Sequence, residues 1–389
     1  MIKMLEQNGL LTDKSPSILI GVKEEKRFLR PPKKSYLQVP TPSSIFLAGQ
    51  SRSGKTVSVM VPNALHYSES LVVIANSPEI YEITSDYRRE KQEVFVLDCR
   101  NIHAQQWNPL SYITRWNANL SRNSRLEEER TYKIARVLYQ DTVTKYKDSV
   151  MSLFVGLCLF MVETECDKIT TLSRLVELTQ EKTHEMPFSA WIKYICENHP
   201  YTELSEICEQ HLLSYTRLNE EDAQEVLNLM LKPLAVAVPY SQKHTGYDDD
   251  LYLPDIWRSK TTVYVIHASE HKPLVNVFLM QLNEASKQTV KNCQCLLLIE
   301  DFNQLAQESI MSELLDNVQD NELSVIASTQ SLFEEKSVKL MEKFHVHIFL
   351  TYSEEKQDCL IQIRNCTLIQ AQRILYYKEP YFTSKVHNN

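Results

Sequence analysis

The eight residues Gly49-Gln50-Ser51-Arg52-Ser53-Gly54-Lys55-Thr56 constrain this chain more than any other stretch. They match G-x-x-x-x-G-K-[ST], a spacing in which each residue type has a physical task. The glycines let the backbone close round an anion with its N–H groups, Lys55 reaches the β- and γ-phosphates, and Thr56 offers a hydroxyl to Mg²⁺. A helix that follows points its positive end at the same anion. A Gly/Ser turn would explain the glycines but not Lys55 and Thr56 together. The 389 residues include only six glycines, and two of them stand at the two required positions. The loop therefore predicts a nucleoside-triphosphate site, with ATP and Mg²⁺ as cofactors.

Such a loop has to leave a strand and enter a helix. Ile45 to Ala48 supplies the strand. In the helix, Val57, Val59 and Val61 alternate and Pro62 interrupts, so a short helix over 56–65, kinked at the proline, is expected. Leu71 to Ala75 and Val94 to Leu97 are continuous apolar runs rich in β-branched residues, the pattern of strands covered on both faces. Thr261 to His267, Cys295 to Ile299, Leu323 to Ser328 and Val346 to Thr351 read as further strands. Glu79 to Arg89, Leu274 to Thr289 and Ser309 to Asn317 supply the helices between them, and this alternation argues for a mostly parallel α/β sheet.

The middle of the chain is different. Leu126 to Tyr139, Ser149 to Val162, Leu172 to Thr179, Phe188 to Asn198 and Leu204 to Leu213 read as helices. Asn219 can cap another, with Glu220, Glu221 and Asp222 where the helix dipole favours negative charge. Leu227, Met230, Leu231 and Leu234 then form one apolar stripe. No strand signal occurs between Cys166 and Tyr247. The expected division is a lead-in over 1–43, irregular because of Pro16, Pro31, Pro32, Pro40 and Pro42, then a nucleotide-binding domain over 44–162 and 256–389. An all-α insertion fills 163–255.

Charge follows the same division. Residues 163–255 carry 18 acidic and 7 basic side chains, a net of −11, so the rest of the chain sums to +3 against a total of −8. An acidic segment repels phosphate backbones and is a poor surface for DNA. It serves either as a solvated helical surface or as a docking face for protein. The longest apolar run, Val150 to Val162, is shorter than the roughly 20 residues of a membrane span and reads as a buried helix. No signal peptide is visible at Met1 to Gly9, so either the protein is cytosolic or an anchor lies outside this chain. The nine cysteines form no C-x-x-C pair and read as reduced thiols. His345 and His347 alternate inside an apolar run and read as structural.

A phosphate loop also needs a carboxylate at a strand end to hold Mg²⁺ and activate water. Leu296-Leu297-Leu298-Ile299-Glu300-Asp301 supplies one: four apolar residues, then two acids. Gln330, just past Leu323 to Ser328, is placed to sense a γ-phosphate. Thr56 and Glu300 are thus the expected metal ligands, and Glu300, Asp301 and Gln330 the expected catalytic group.

Beyond the loop, the sequence resembles the type IV secretion coupling proteins, the TraG/TraD-type conjugative-transfer ATPases. Ser53-Gly54-Lys55 followed by Val57-Ser58-Val59 and Val61-Pro62-Asn63 is similar to that family, awkward proline included. So are Glu79-Ile80-Tyr81-Glu82-Ile83-Thr84, Tyr87-Arg88 and Val94-Phe95-Val96-Leu97-Asp98. Trp107-Asn108-Pro109-Leu110, Thr261-Thr262-Val263-Tyr264 and Gln330-Ser331-Leu332 complete the set, which spans most of residues 9 to 352. The resemblance implies a RecA-like domain interrupted by an all-α domain, a homo-hexameric ring, and a place at the cytoplasmic face of the inner membrane. It implies as partners other type IV secretion subunits and a substrate, either relaxase–DNA or an effector protein. The six basic residues between Lys23 and Lys34 are consistent with a membrane-proximal position or with a solvated tail.

Four departures bear on turnover. The family's acidic pair runs Asp then Glu, whereas here Glu300 precedes Asp301. Its Asp-Pro-Lys-Gly-Glu is Asn76-Ser77-Pro78-Glu79 after Ala75, with only the glutamate kept. Asn321-Glu322 replaces glycine and arginine before the strand leading to Gln330, and the C-terminal end closes early with Arg373 to Phe382. These predict ATP binding with slow hydrolysis. The rival reading is a nucleotide-binding scaffold with little or no ATPase activity; an unrelated DNA-pumping ring ATPase would share the loop but not the Trp107 and Thr261 runs.

Overall fold

The apolar runs become the centre of one twelve-stranded sheet. The computed structural model describes residues 6–8, 16–27, 30–101, 104–114, 123–142, 144–165, 169–198, 200, 204–235, 250–331, 335–350, 358–364, 366 and 368–386. The strands are β1 (Glu6–Asn8), β2 (Ser17–Arg27), β3 (Arg30–Pro40), β4 (Ser44–Ala48), β5 (Ser70–Ala75) and β6 (Glu93–Asp98). They continue with β7 (Thr261–Ile266), β8 (Cys295–Ile299), β9 (Leu323–Thr329), β10 (Val346–Leu350), β11 (Asp358–Ile363) and β12 (Ile369–Gln372). Their order is β1-β3-β2-β12-β11-β10-β4-β9-β8-β5-β7-β6. From β10 to β6 every pairing is parallel; from β1 to β10 every pairing is antiparallel.

Position in the sheet explains the patterning. β4, β5, β7, β8 and β9 have neighbours on both sides and are buried at every residue. β6, expected to be covered on both faces, is the edge strand and buries only Phe95 and Leu97 fully. Phe95 and Leu97 lie two residues apart and so share one face of the sheet; Val94 and Val96, on the other face, are partly buried.

The lead-in is not irregular. Its residues form β2 and β3, two 11-residue antiparallel strands. Ile18, Leu19, Ile20 and Val22 of β2 and Leu37 and Val39 of β3 are core residues. Charged residues and prolines toward the far end of this hairpin hid a strand pair whose other half is mostly apolar, with Ser35 and Gln38 as buried polar exceptions. The alternation of Val57, Val59 and Val61 does not make a strand either. Thr56–Met60 is a π-helical turn and Val61–His66 an α-helix, with Pro62 near its start. A proline displaces the carbonyl four residues before it, and the wider turn makes room for that. Asn63 Nδ2 donates to Val59 O (2.9 Å) and to Leu19 O (2.9 Å), and its Oδ1 accepts from Leu19 N (2.8 Å). The Val61-Pro62-Asn63 run thus clamps the loop's helix to β2.

The chain divides into two compact units: Met1–Arg100 with Tyr252–Ser269 and Leu282–Asn389, which contains the sheet, and Asn101–Leu251 with Glu270–Gln281. The described strands all lie outside the second unit, as expected of an all-α segment. It starts at Asn101, not at 163. The reason is the helix Lys147–Thr164, which is apolar on every side and must be enclosed by other helices. It packs against Ser124–Leu138, Glu206–Thr216 and Glu220–Leu234. The approach is close, since a Cβ on Gly156 would lie 2.8 Å from Leu212 Cδ2. Asn219 caps the last of these helices, its side chain accepting from Asp222 N at 2.9 Å. That helix's buried stripe is Ala223, Val226, Leu227, Met230 and Leu234; Leu231 is half-buried. Among the described residues no helix is long and apolar enough to cross a membrane. Cys166, Leu332 and Thr351 lie outside the described residues.

Candidate functional site

β4 ends at Ala48, and the phosphate loop begins on the next residue, anchored by Gly49 N donating to Thr329 O of β9 (3.2 Å). The two glycines serve different needs. A Cβ on Gly49 would sit 2.4 Å from Ser53 Oγ, so close packing inside the loop demands glycine there. Gly54 has φ 84°, a left-handed conformation that a side chain would strain. Ser53 N donates to Gln50 O (3.1 Å) and closes the turn, and the Ser58 hydroxyl donates to Gly54 O (2.6 Å) at the start of the helix.

Lys55 lies across the loop, its ammonium donating to Gly49 O (2.6 Å) and Gln50 O (3.1 Å). Burial pushes its pKa down, against the upward pull of Asp301 and Glu300. The Thr56 hydroxyl donates to Glu300 Oε1 at 2.8 Å. Loop and acidic strand end are 244 residues apart in sequence, and β9 separates their strands in the sheet. Burial pushes the Glu300 carboxyl upward; Thr56 and Lys55 oppose that shift, while Asp301 and Glu79 reinforce it. Asp301 adopts φ 48° and ψ 48°, a conformation that Asp tolerates better than most side chains. Its N–H donates to Ser328 Oγ (3.2 Å), and its Oδ2 accepts from Gln330 Nε2 (2.5 Å).

The residues predicted from sequence for this site, Gly49 to Thr56, Glu300, Asp301 and Gln330, therefore converge on one end of the parallel strands. Two polar atoms there, Ser53 Oγ and Asp301 Oδ1, are buried and have no hydrogen-bond partner among the described residues. A loop ammonium, a threonine hydroxyl and two carboxylates, with buried polar oxygens still unmatched, suit a polyphosphate and its divalent cation. Sequence reasoning missed two contributors. Glu79 lies close enough to shift Glu300, and Arg373 donates from Nη1 to Ser53 O at 2.7 Å. No local pattern marks Arg373, which is 320 residues from the atom it holds.

Other runs behind the resemblance build the scaffold. Thr84 Oγ1 and Tyr264 Oη lie 2.6 Å apart, and Arg88 Nε donates to Thr262 Oγ1 (2.8 Å), so the helix Glu79–Arg89 is bonded to β7. In the helical unit, Asn108 Oδ1 accepts from Leu110 N (3.0 Å), and Gln281 Nε2 donates to Pro109 O (2.8 Å). His345 Nδ1 lies 2.7 Å from Ser44 Oγ and His347 Nε2 lies 2.9 Å from Met341 O, both structural contacts. Among the described residues no cluster of His, Cys, Asp or Glu could hold a metal by itself.

A phosphate loop at the end of a parallel strand, facing an acidic strand end across one intervening strand, defines a RecA-like nucleotide-binding fold, here interrupted by an all-α unit. Residues 22–337 match the family model for type IV secretory system conjugative DNA transfer, and the chain belongs to that family. Comparison with curated proteins by sequence yields no significant match. Solved structures share the fold. The plasmid coupling protein TrwB, in complex with a non-hydrolysable GTP analogue, aligns with a TM-score of 0.56 at 11% identity, covering 87% of this chain and 88% of its own. TrwB with ADP and Mg²⁺ gives 0.53 at 12%, covering 85% and 77%. VirB4 of Thermoanaerobacter pseudethanolicus gives 0.55 at 11%, covering 96% and 100%.

Proposed function

We propose that this chain binds ATP with Mg²⁺ at the phosphate loop and acts as the coupling subunit that recruits substrate to a type IV secretion channel. The observation that carries this reading is the bond from Thr56 to Glu300, which brings the loop hydroxyl and the strand-end carboxylate into contact. Thr56 and Glu300 would hold Mg²⁺, which when bound neutralises phosphate charge. Lys55 and the loop amides bind the phosphates, Asp301 orients the attacking water, and Gln330, through its bond to Asp301, responds to the γ-phosphate. The fold shared with TrwB, which has been seen with ADP and Mg²⁺, supports the choice of ligand. The working form on this reading is a homo-hexamer at the cytoplasmic face of the inner membrane, partnered by other secretion subunits and by relaxase–DNA or an effector protein. Calorimetric titration with ATP and Mg²⁺, followed by a steady-state ATPase assay with and without DNA, tests it. Mg²⁺-dependent binding with slow turnover is expected, and absence of nucleotide binding would overturn it.

A second reading, a nucleotide-binding scaffold with little turnover, draws on the inverted acidic pair. Asp301 is one methylene shorter than glutamate, and a reach about 1 Å short of the water costs roughly a hundredfold in rate. The double exchange Glu300→Asp with Asp301→Glu is expected to raise kcat, at a stability cost of about 1 kcal/mol for placing glutamate in the left-handed region. Unchanged or lower kcat in a protein that still binds ATP would mean that the site is built around the inverted order.

The acidic segment 163–255 is proposed to bind protein and not bare DNA, since its net charge is −11 and each phosphate contact calls for a lysine or arginine. In hydrogen exchange on the whole chain with duplex DNA, the helices Glu206–Thr216 and Glu220–Leu234 are expected to show no protection. Protection there that fades with added salt would count against this assignment.

A further inference from the structure

We infer that Arg373 is a positioning residue for the phosphate loop, holding the Ser53–Gly54 peptide so that its N–H faces the bound anion. The inference rests on the nucleotide-binding reading above and extends it to a residue beyond the family match, which ends at 337. Arg373 directly follows β12, whose last residue, Gln372, pairs with Asp358 at the start of β11. Its Nε donates to Asp358 O (3.2 Å) and its Nη1 to Ser53 O (2.7 Å). The guanidinium is planar and forked, so fixing one nitrogen on the β11 backbone fixes the direction of the other. It also packs against the next residue, since a Cβ on Gly54 would lie 3.7 Å from Nη1.

A trans peptide places its C=O and N–H on opposite sides. A guanidinium that holds Ser53 O therefore turns the Gly54 N–H the other way, away from Arg373. Gly54, at φ 84°, is the residue whose backbone has most freedom to rotate away. Holding that peptide in one orientation before ligand arrives lowers the ordering cost of binding. The antiparallel half of the sheet, added to the parallel half that carries the loop and acids, thereby contributes to the site.

The effect should fall on any nucleotide whose phosphates fill the loop, with or without a γ-phosphate. The experiment titrates ADP and the β,γ-imido analogue of ATP into the parent, Arg373→Met and Arg373→Lys by calorimetry, with Mg²⁺ present. Arg373→Met keeps most of the side-chain bulk and removes the donor, and both ligands should weaken by a similar factor, about tenfold, the scale of one charged hydrogen bond. Arg373→Lys keeps a donor for Ser53 O and should stay within about threefold of the parent. Equal affinities in parent and Arg373→Met would overturn the inference. So would a loss confined to the imido analogue, which would put Arg373 on the γ-phosphate. If Arg373→Met does not fold, the lysine variant decides, and a loss of about tenfold or more there overturns it. A parent that binds neither ligand would overturn the nucleotide-binding reading itself, a result distinct from any difference between variants.

Discussion

Replacing Lys55 with alanine is expected to weaken ATP binding by a factor of about a hundred to a thousand while leaving thermal unfolding of the ligand-free protein nearly unchanged. Lys55 is half-buried, and among the described residues its ammonium donates to the loop carbonyls of Gly49 and Gln50 alone. Its removal opens no core cavity, and the two carbonyls, at the protein surface, can turn to water. With nucleotide bound, the same ammonium would face phosphate oxygens. Two charge-assisted hydrogen bonds there are worth about 3–4 kcal/mol in sum, which sets the expected range. The check is paired: calorimetry for ATP and a melting curve without ligand. Equal affinity in variant and parent would remove the loop from nucleotide binding. A large drop in melting temperature would show that Lys55 serves the fold.

The largest stability effect is expected away from the site, at Arg88. This side chain is 2% exposed. Its guanidinium donates to Thr262 Oγ1 (2.8 Å), to Glu69 O (2.7 Å), to Ala64 O (3.4 Å) and, in a very short contact, to Tyr67 O. It thus binds the end of the helix Glu79–Arg89 to the turn after Val61–His66 and to β7. Arg88→Ala strands these acceptors, most of them buried, and leaves a cavity. A loss of about 3–5 kcal/mol is expected, read as a lowered urea midpoint. Arg88→Lys should recover less than half, because one ammonium cannot reproduce a planar fork. A shift below about 0.5 kcal/mol for alanine would mean that the carbonyls find other donors or water.

The two sites differ in how far they were legible in sequence. The phosphate loop depends on residues adjacent in the chain, and each has a requirement that allows few substitutes: space at Gly49, a positive φ at Gly54, a cation at Lys55 and a hydroxyl at Thr56. Such constraints leave a pattern. Glu300 and Asp301 could be picked out because an apolar run that ends in two acids is unusual for a buried strand. That Glu300 touches Thr56 could not be read, since it depends on β9 lying between β4 and β8. Arg88 stands among the runs that resemble the coupling proteins, but nothing local tells that it is buried and spans three elements.

What the sequence determined by itself was whatever is written in local chemistry: the loop, the buried strands of the parallel half and the helical character of the middle segment. Continuous apolar strands and amphipathic helices have no stable alternative to burial, so their type follows from their own residues. Tertiary structure decided what depends on a neighbour. β2 and β3 form because the apolar half of each is covered by the sheet and because Asn63 bonds Leu19, although prolines and charges argue locally against a strand. β6 is one edge of the sheet because, among the described residues, no strand pairs beyond it. The helical unit starts at Asn101 because Lys147–Thr164 has no polar face to leave exposed and requires the helices on every side. Arg373 reaches the loop only because β11 and β12 carry it there, a path of hydrogen bonds with no counterpart in residue spacing.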